Sequence, residues 1–125
     1  MAVAQTNAAV VMQERSAELT SHQVISLLLD GALERVAQVK KAIAEKNDED
    51  KVILFGKIKA IINGLRNSLN MREGGEIAVN LDSLYEYMVA RIEGASTIEE
   101  YAVATEVGKL LTEVQDGWVQ LEPAE

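Results

Sequence analysis

Residues 20–45 read TSHQVISLLLDGALERVAQVKKAIAE, and this stretch decides the fold. Ile25, Leu28, Leu29, Ala32, Val36, Val39 and Ile43 recur at spacings that advance about 100° per residue, which collects them on one side of a helix. Val24 and Leu27 fall outside that side. Thr20 stands where a helix cap is needed, and Gln23 follows three residues later, where its amide can bond back to the cap residue's N–H. The spacing predicts a helix from Thr20 to about Glu45, with one apolar face that other helices must cover.

Downstream the same pattern repeats. Residues 46–50, KNDED, break the period and place acidic side chains at a new helix start, where the helix dipole favours them. A second helix is expected over 49–69, with Leu54, Ile58, Ile61, Leu65 and Leu69 as its core stripe. Ile53, Gly56, Ala60 and Gly64 lie on another side and make a shallow ridge. Gly74 and Gly75 are read as the corner that ends it, because glycine adopts the positive φ of a tight turn. A third helix follows, with Ile77, Leu81, Leu84, Tyr85, Met88 and Ile92 inward, and Gly94 closes it. Thr97 and Glu100 repeat the capping spacing, and a fourth helix turns Val103, Val107, Leu110, Leu111, Val114, Trp118 and Leu121 to one face. Four amphipathic segments with short connections predict an all-α antiparallel four-helix bundle. Residues 1–18 lack a sustained period and are read as a mobile N-terminal arm. The bundle domain is expected over 19–122, with a short tail at 123–125.

Composition narrows the function. With 125 residues, one core is enough. Aromatics are only 4% against 48% apolar, so that core is aliphatic. The chain has no cysteine, which excludes disulfide scaffolds and thiolate chemistry. Twenty acidic against twelve basic residues give a net charge of -8, a field that repels phosphate backbones and anionic lipid. No nucleic-acid partner and no membrane insertion are expected, and the cytoplasm is the expected compartment.

Residues able to do chemistry are few. His22 is the only histidine; at a helix start it reads as a solvated surface residue. A histidine phosphotransfer bundle is the sharper alternative, but it needs its histidine exposed in mid-helix with a lysine soon after. A carboxylate-bridged di-iron site needs Glu-x-x-His pairs on two helices, which one histidine cannot supply. Gly74-Gly75 has no following lysine to make a phosphate cradle. No enzyme activity, cofactor or metal is expected. What remains is apolar surface beyond the core stripes, at Val24 and Leu27, at Ile53 beside Gly56, Ala60 and Gly64, and at Val79 and Tyr87. Such surface on neighbouring helices suits a groove for a partner's apolar helix. With Gly31, Asn80, Leu84 and Met88 these residues form the candidate partner-binding set.

Several runs carry a family resemblance. Thr20-Ser21-His22-Gln23-Val24-Ile25 leads to Leu28-Leu29-Asp30-Gly31-Ala32-Leu33. Ile61-Ile62 precedes Leu65-Arg66-Asn67-Ser68-Leu69, and Gly74-Gly75-Glu76-Ile77-Ala78-Val79-Asn80-Leu81 runs into Leu84-Tyr85-Glu86-Tyr87-Met88. Together with Glu106-Val107 and Gly117-Trp118, they resemble the flagellin-specific export chaperones, the FliS family, over about residues 19–118. The resemblance implies a cytoplasmic helical bundle without catalytic activity, monomeric or weakly dimeric. It implies a protein that binds the disordered C-terminal segment of flagellin, prevents early polymerisation and delivers it to components of the flagellar export gate. It also implies an N-terminal segment lying over part of the partner's site, although residues 1–18 lack the tyrosines common there. A regulatory bundle for some other partner helix is the remaining alternative.

Overall fold

Thr20 opens the first helix as its sequence requires. Its Oγ1 accepts from the Gln23 N–H at 3.1 Å, while Gln23 Oε1 accepts from the Thr20 N–H at 2.9 Å. The structure, a computed structural model, describes residues 20–120. They form α1 (Ser21–Ala44), α2 (Asp48–Asn67), α3 (Met71–Gly94) and α4 (Glu100–Gln120). The arm expected over 1–18, Leu121 and the tail at 123–125 lie outside the described residues.

The α1–α2 corner is a Schellman turn. Asn47 N–H donates to Ala42 O at 2.8 Å and Lys46 N–H donates to Ile43 O at 3.1 Å, with Lys46 held at φ 58°. Asn47 then caps α2 by accepting from the Asp50 N–H at 3.1 Å, and Asp48, Glu49 and Asp50 occupy the first turn.

Two expected boundaries shift. Gly74 and Gly75 are not the α2–α3 corner: α2 ends at Asn67, and residues 68–70 make the connection. Gly75, at φ 54° and ψ −132°, instead breaks α3 after its first turn. The expected Thr97–Glu100 cap is replaced by Ser96, whose N–H and Oγ both donate to Glu99 Oε1, at 3.0 and 2.9 Å. Glu100 is drawn elsewhere, to Lys51 Nζ at 2.9 Å.

The helices form an antiparallel bundle in which α1 packs against α2 and α4, and α3 packs against the same two from the opposite corner. Leu29, Ala32, Val36 and Val39 of α1 meet Ile58, Ile62, Leu65, Tyr85, Met88, Val103, Val107 and Leu111 in one core. On α2 the buried line is Phe55, Ile58, Ile62 and Leu65, rotated by one residue from part of the expected stripe. Leu54, Ile61 and Leu69 are only partly buried because α2 must face α1 and α3 at once, which spreads its contact surface over more of its circumference. Ala42, Ala78 and Ala104 are also buried, being small enough to let neighbouring backbones approach. Gly108 serves the same end, since a Cβ there would lie 3.0 Å from Val36 Cγ1.

Among the described helix pairs in contact, α3 and α4 approach each other least closely. Towards the end of α3 they are tied by Glu106, which accepts from the Tyr87 hydroxyl at 2.6 Å and from Arg91 Nε at 2.8 Å. Arg66 fastens α2 to α3 through Asp82 at 2.6 Å and Glu86 at 2.8 Å. No comparable polar tie is present at the opposite end of the α3–α4 seam among the described residues, and there the bundle opens.

Candidate partner-binding site

The opening lies where α1 begins and α4 ends. A cavity of about 230 Å³ is lined by Ile25, Leu65, Leu69, Ala78, Leu81 and Tyr85, together with Ile77 and Trp118. A second, of about 280 Å³, is lined by Ile77, Leu81, Val114 and Trp118 with Glu113 and Gly117 at its side. Ile77, Leu81 and Trp118 belong to both, so the two make one apolar trough between α3 and α4. Ile77 was expected in the core; it is 63% exposed. Its position on the α3 stripe is right for burial, but α4 does not come close enough there to cover it.

Local backbone chemistry shapes the trough. Glycine alone tolerates the φ and ψ of Gly75 without strain, and the residues on both sides of the break, Gly74 before it and Ile77 and Ala78 after it, line the cavity. Gly74 lines the wall so tightly that a Cβ on it would sit 2.7 Å from Ala78 Cβ. At the floor, burial pushes the Tyr85 phenol up to about 12, so it is a neutral hydroxyl at any physiological pH.

Trp118 is held from α1. His22 Nε2 donates to Trp118 O at 2.7 Å, and Trp118 Nε1 donates to His22 O at 2.9 Å. The two rings stack at 4.9 Å with planes 11° apart. His22 is thus not the solvated surface residue that its position suggested: it fixes the indole that forms one side of the trough.

The residues predicted to contact a partner divide between faces. Val24 lines a shallow cavity of about 370 Å³ with Ser21, Ile25 and Ser68, and Ile25 and Ser68 also line the trough. This cavity therefore continues the trough onto the α1–α2 face. Ile53 lines another, of about 380 Å³, at the far end of that face. Between them Gly31 approaches α2, where an added Cβ would lie 3.9 Å from Ile61 Cδ1. Gly56 and Gly64 look onto open space, and Ala60 and Leu27 are exposed. Val79 and Asn80 are exposed on α3, and Tyr87 borders a hollow of about 250 Å³ with Ser83, Glu86 and Ala90. Leu84 is partly buried against the core. Met88 is 0% exposed and belongs to the core, so no partner can touch it on the folded surface.

The trough itself went unpredicted because Ile77, Leu81, Val114 and Trp118 carry ordinary core periodicity. The sequence signal was their place near the ends of α3 and α4, where a bundle frays open unless a neighbour covers it.

The profile of the family described as flagellar protein FliS matches residues 3–125. A flagellar secretion chaperone named FliSB from Pseudomonas aeruginosa is 43% identical over 109 residues, 87% of this chain and 86% of the relative. The flagellar secretion chaperones FliS of Vibrio cholerae and Salmonella typhimurium are 36% and 34% identical. Those alignments cover 82% of this chain in each case, and 75% and 76% of the relatives. With a helical bundle, an uncovered apolar trough and this likeness over most of its length, the chain belongs to the FliS family of flagellar proteins.

Proposed function

We propose that this chain is a flagellar secretion chaperone that binds the disordered C-terminal segment of flagellin in the cytoplasm. It keeps the segment from polymerising early and aids its delivery to the export apparatus, where export-gate components are further partners. The role is one of binding, without a catalytic step or a cofactor, carried out by a monomer or weak homodimer.

The observation that carries this reading is the open trough at Ile77, Leu81, Val114 and Trp118 in a member of this family. The described residues form helices and offer no sheet edge, so an incoming segment docks by laying an apolar helical face into the trough. Ordering that segment costs several kcal/mol, offset by burial of apolar surface on both partners. The Val24 cavity adjoining the trough gives a long segment a path onto the α1–α2 face, towards Gly31, Ala60, Gly64 and Ile53. Val79, Asn80 and Tyr87 offer contact on the outer side of α3.

Polymerisation of purified flagellin tests the role. Stoichiometric chaperone should hold full-length flagellin monomeric by light scattering. Flagellin that polymerises at the same rate with and without the chaperone would refute it.

A further inference from the structure

The two walls of the trough are held unequally. On the α3 side Ala78 and Tyr85 are buried in the core beside the cavity they line. On the α4 side Val103, Ala104, Val107 and Leu111 are buried, and beyond Leu111 no described residue of that helix is. Val114 and Trp118, which carry the wall, are only partly buried. Apolar burial therefore holds α4 firmly as far as Leu111 and holds residues 112–120 much less.

Two side chains fasten that stretch to α1. Gln115 Nε2 donates to Asp30 Oδ1, and Trp118 exchanges two hydrogen bonds with His22, whose ring stacks on its own. The ties from α3, through Tyr87 and Arg91, reach α4 at Glu106, before the stretch begins.

The helix is also weakened at two points. Thr112 Oγ1 donates to Gly108 O at 2.8 Å and so shares the carbonyl that its own N–H uses in the helix ladder, a contact that loosens and bends helices. Gly117 weakens a helix relative to alanine, and nothing lies within 4 Å of where its Cβ would stand, so packing does not require glycine there. Gly108 differs, because Val36 leaves no room for a side chain.

From these features we infer that residues 112–120 form a gate on the trough, hinged at Gly108 and Thr112 and bolted to α1 by the His22–Trp118 pair. When the bolt releases, the stretch leaves α1 as one unit, the indole is withdrawn from the wall, and the trough opens along Val114. The α3 wall, held by Ala78 and Tyr85, stays in place. A stretch this short does not remain helical once undocked, so its amides meet water each time the gate opens. The gate follows from the geometry of the trough whatever occupies it.

Native-state hydrogen exchange of the full chain, followed residue by residue by NMR at several urea concentrations below the unfolding transition, tests the gate. The amides of residues 114–120 should share one opening equilibrium and one urea dependence, and exchange at least about tenfold faster than those of residues 103–111. His22→Ala should speed the exchange of 114–120 by a common factor of about 5–30, the loss of one hydrogen bond and a ring stack. Gly117→Ala, which has room for its methyl group, should slow it by about fivefold. Protection that rises steadily from residue 120 inward, without urea dependence, would be fraying of a helix end and would overturn the gate. Equal protection of 114–120 and 103–111 would overturn it as well, since α4 would then be one rigid rod. Should 114–120 open together but at the native rate in His22→Ala, the bolt is refuted.

Discussion

His22 and Trp118 are joined across 96 residues of chain by two hydrogen bonds, each running from one ring to the other residue's backbone carbonyl, with the rings stacked between them. The bond from His22 Nε2 to a carbonyl, which can only accept, requires a proton on that nitrogen. The pair closes the start of α1 against the end of α4 and sets one wall of the trough. His22→Ala removes one bond and the stack, and should destabilise the bundle by about 1–2 kcal/mol in denaturant unfolding. Trp118 is the only tryptophan, so its emission should shift to the red in the same variant.

Backbone conformation should separate two corners. Lys46 pays for a left-handed φ of 58° that glycine adopts freely, so Lys46→Gly should stabilise by roughly 1 kcal/mol. Gly75→Ala should do the reverse, costing about 1–3 kcal/mol, because φ 54° with ψ −132° is closed to a side chain. Thermal melts of the two variants check both signs.

Stability and binding should also separate on α2. Leu65 is 1% exposed, and Leu65→Ala should cost about 2–5 kcal/mol through lost contacts and a residual cavity. Ala60 is exposed, so Ala60→Glu should leave the melting temperature within a degree or so while weakening flagellin binding severalfold. An unfolded Ala60→Glu protein would show that this ridge is packing surface.

Acid should loosen the α3–α4 tie. The Tyr87 hydroxyl, and after it Arg91, hold the Glu106 carboxyl below its ordinary 4.5. A carboxyl lowered in the folded state stabilises fully above its unfolded value and loses that contribution as pH falls through the folded one. The stability advantage of the native chain over Glu106→Gln should therefore be constant from neutral pH down to about 4.5 and vanish below it. Melting temperatures of both proteins across that range provide the measurement.

The fold was legible because its signals are local. Thr20 with Gln23 is a cap written in four residues, and the α1 stripe from Leu29 to Val39 needs only helix geometry to be read. The rotation of α2 towards Phe55 and Ile62 depends on which two helices flank it, a relation between segments that periodicity does not encode. Gly74 and Gly75 were recognisable as a break, but whether the chain turns between helices or within one depends on residues 68–70 making the corner first. For the candidate site, Val24 and Ile53 stood out in the sequence as apolar residues beyond the core stripes, and each borders a surface cavity. Ile77, Leu81 and Trp118 were hidden by looking like core, since a residue facing the gap between α3 and α4 has the same spacing as one facing a neighbour. Met88 was placed both on the inward stripe of α3 and in the partner-binding set, and its full burial beside the exposed Tyr87 leaves only the first reading.

The central claim is that the bundle captures a disordered flagellin C-terminal segment and folds it. Far-ultraviolet circular dichroism of the chaperone mixed with the C-terminal peptide, compared with the sum of the separate spectra, tests this most directly. The account predicts a gain in helical signal that saturates with added peptide, together with a strongly negative heat-capacity change in calorimetry of the same mixture. A spectrum equal to the sum, under conditions where the bundle is folded, would contradict it.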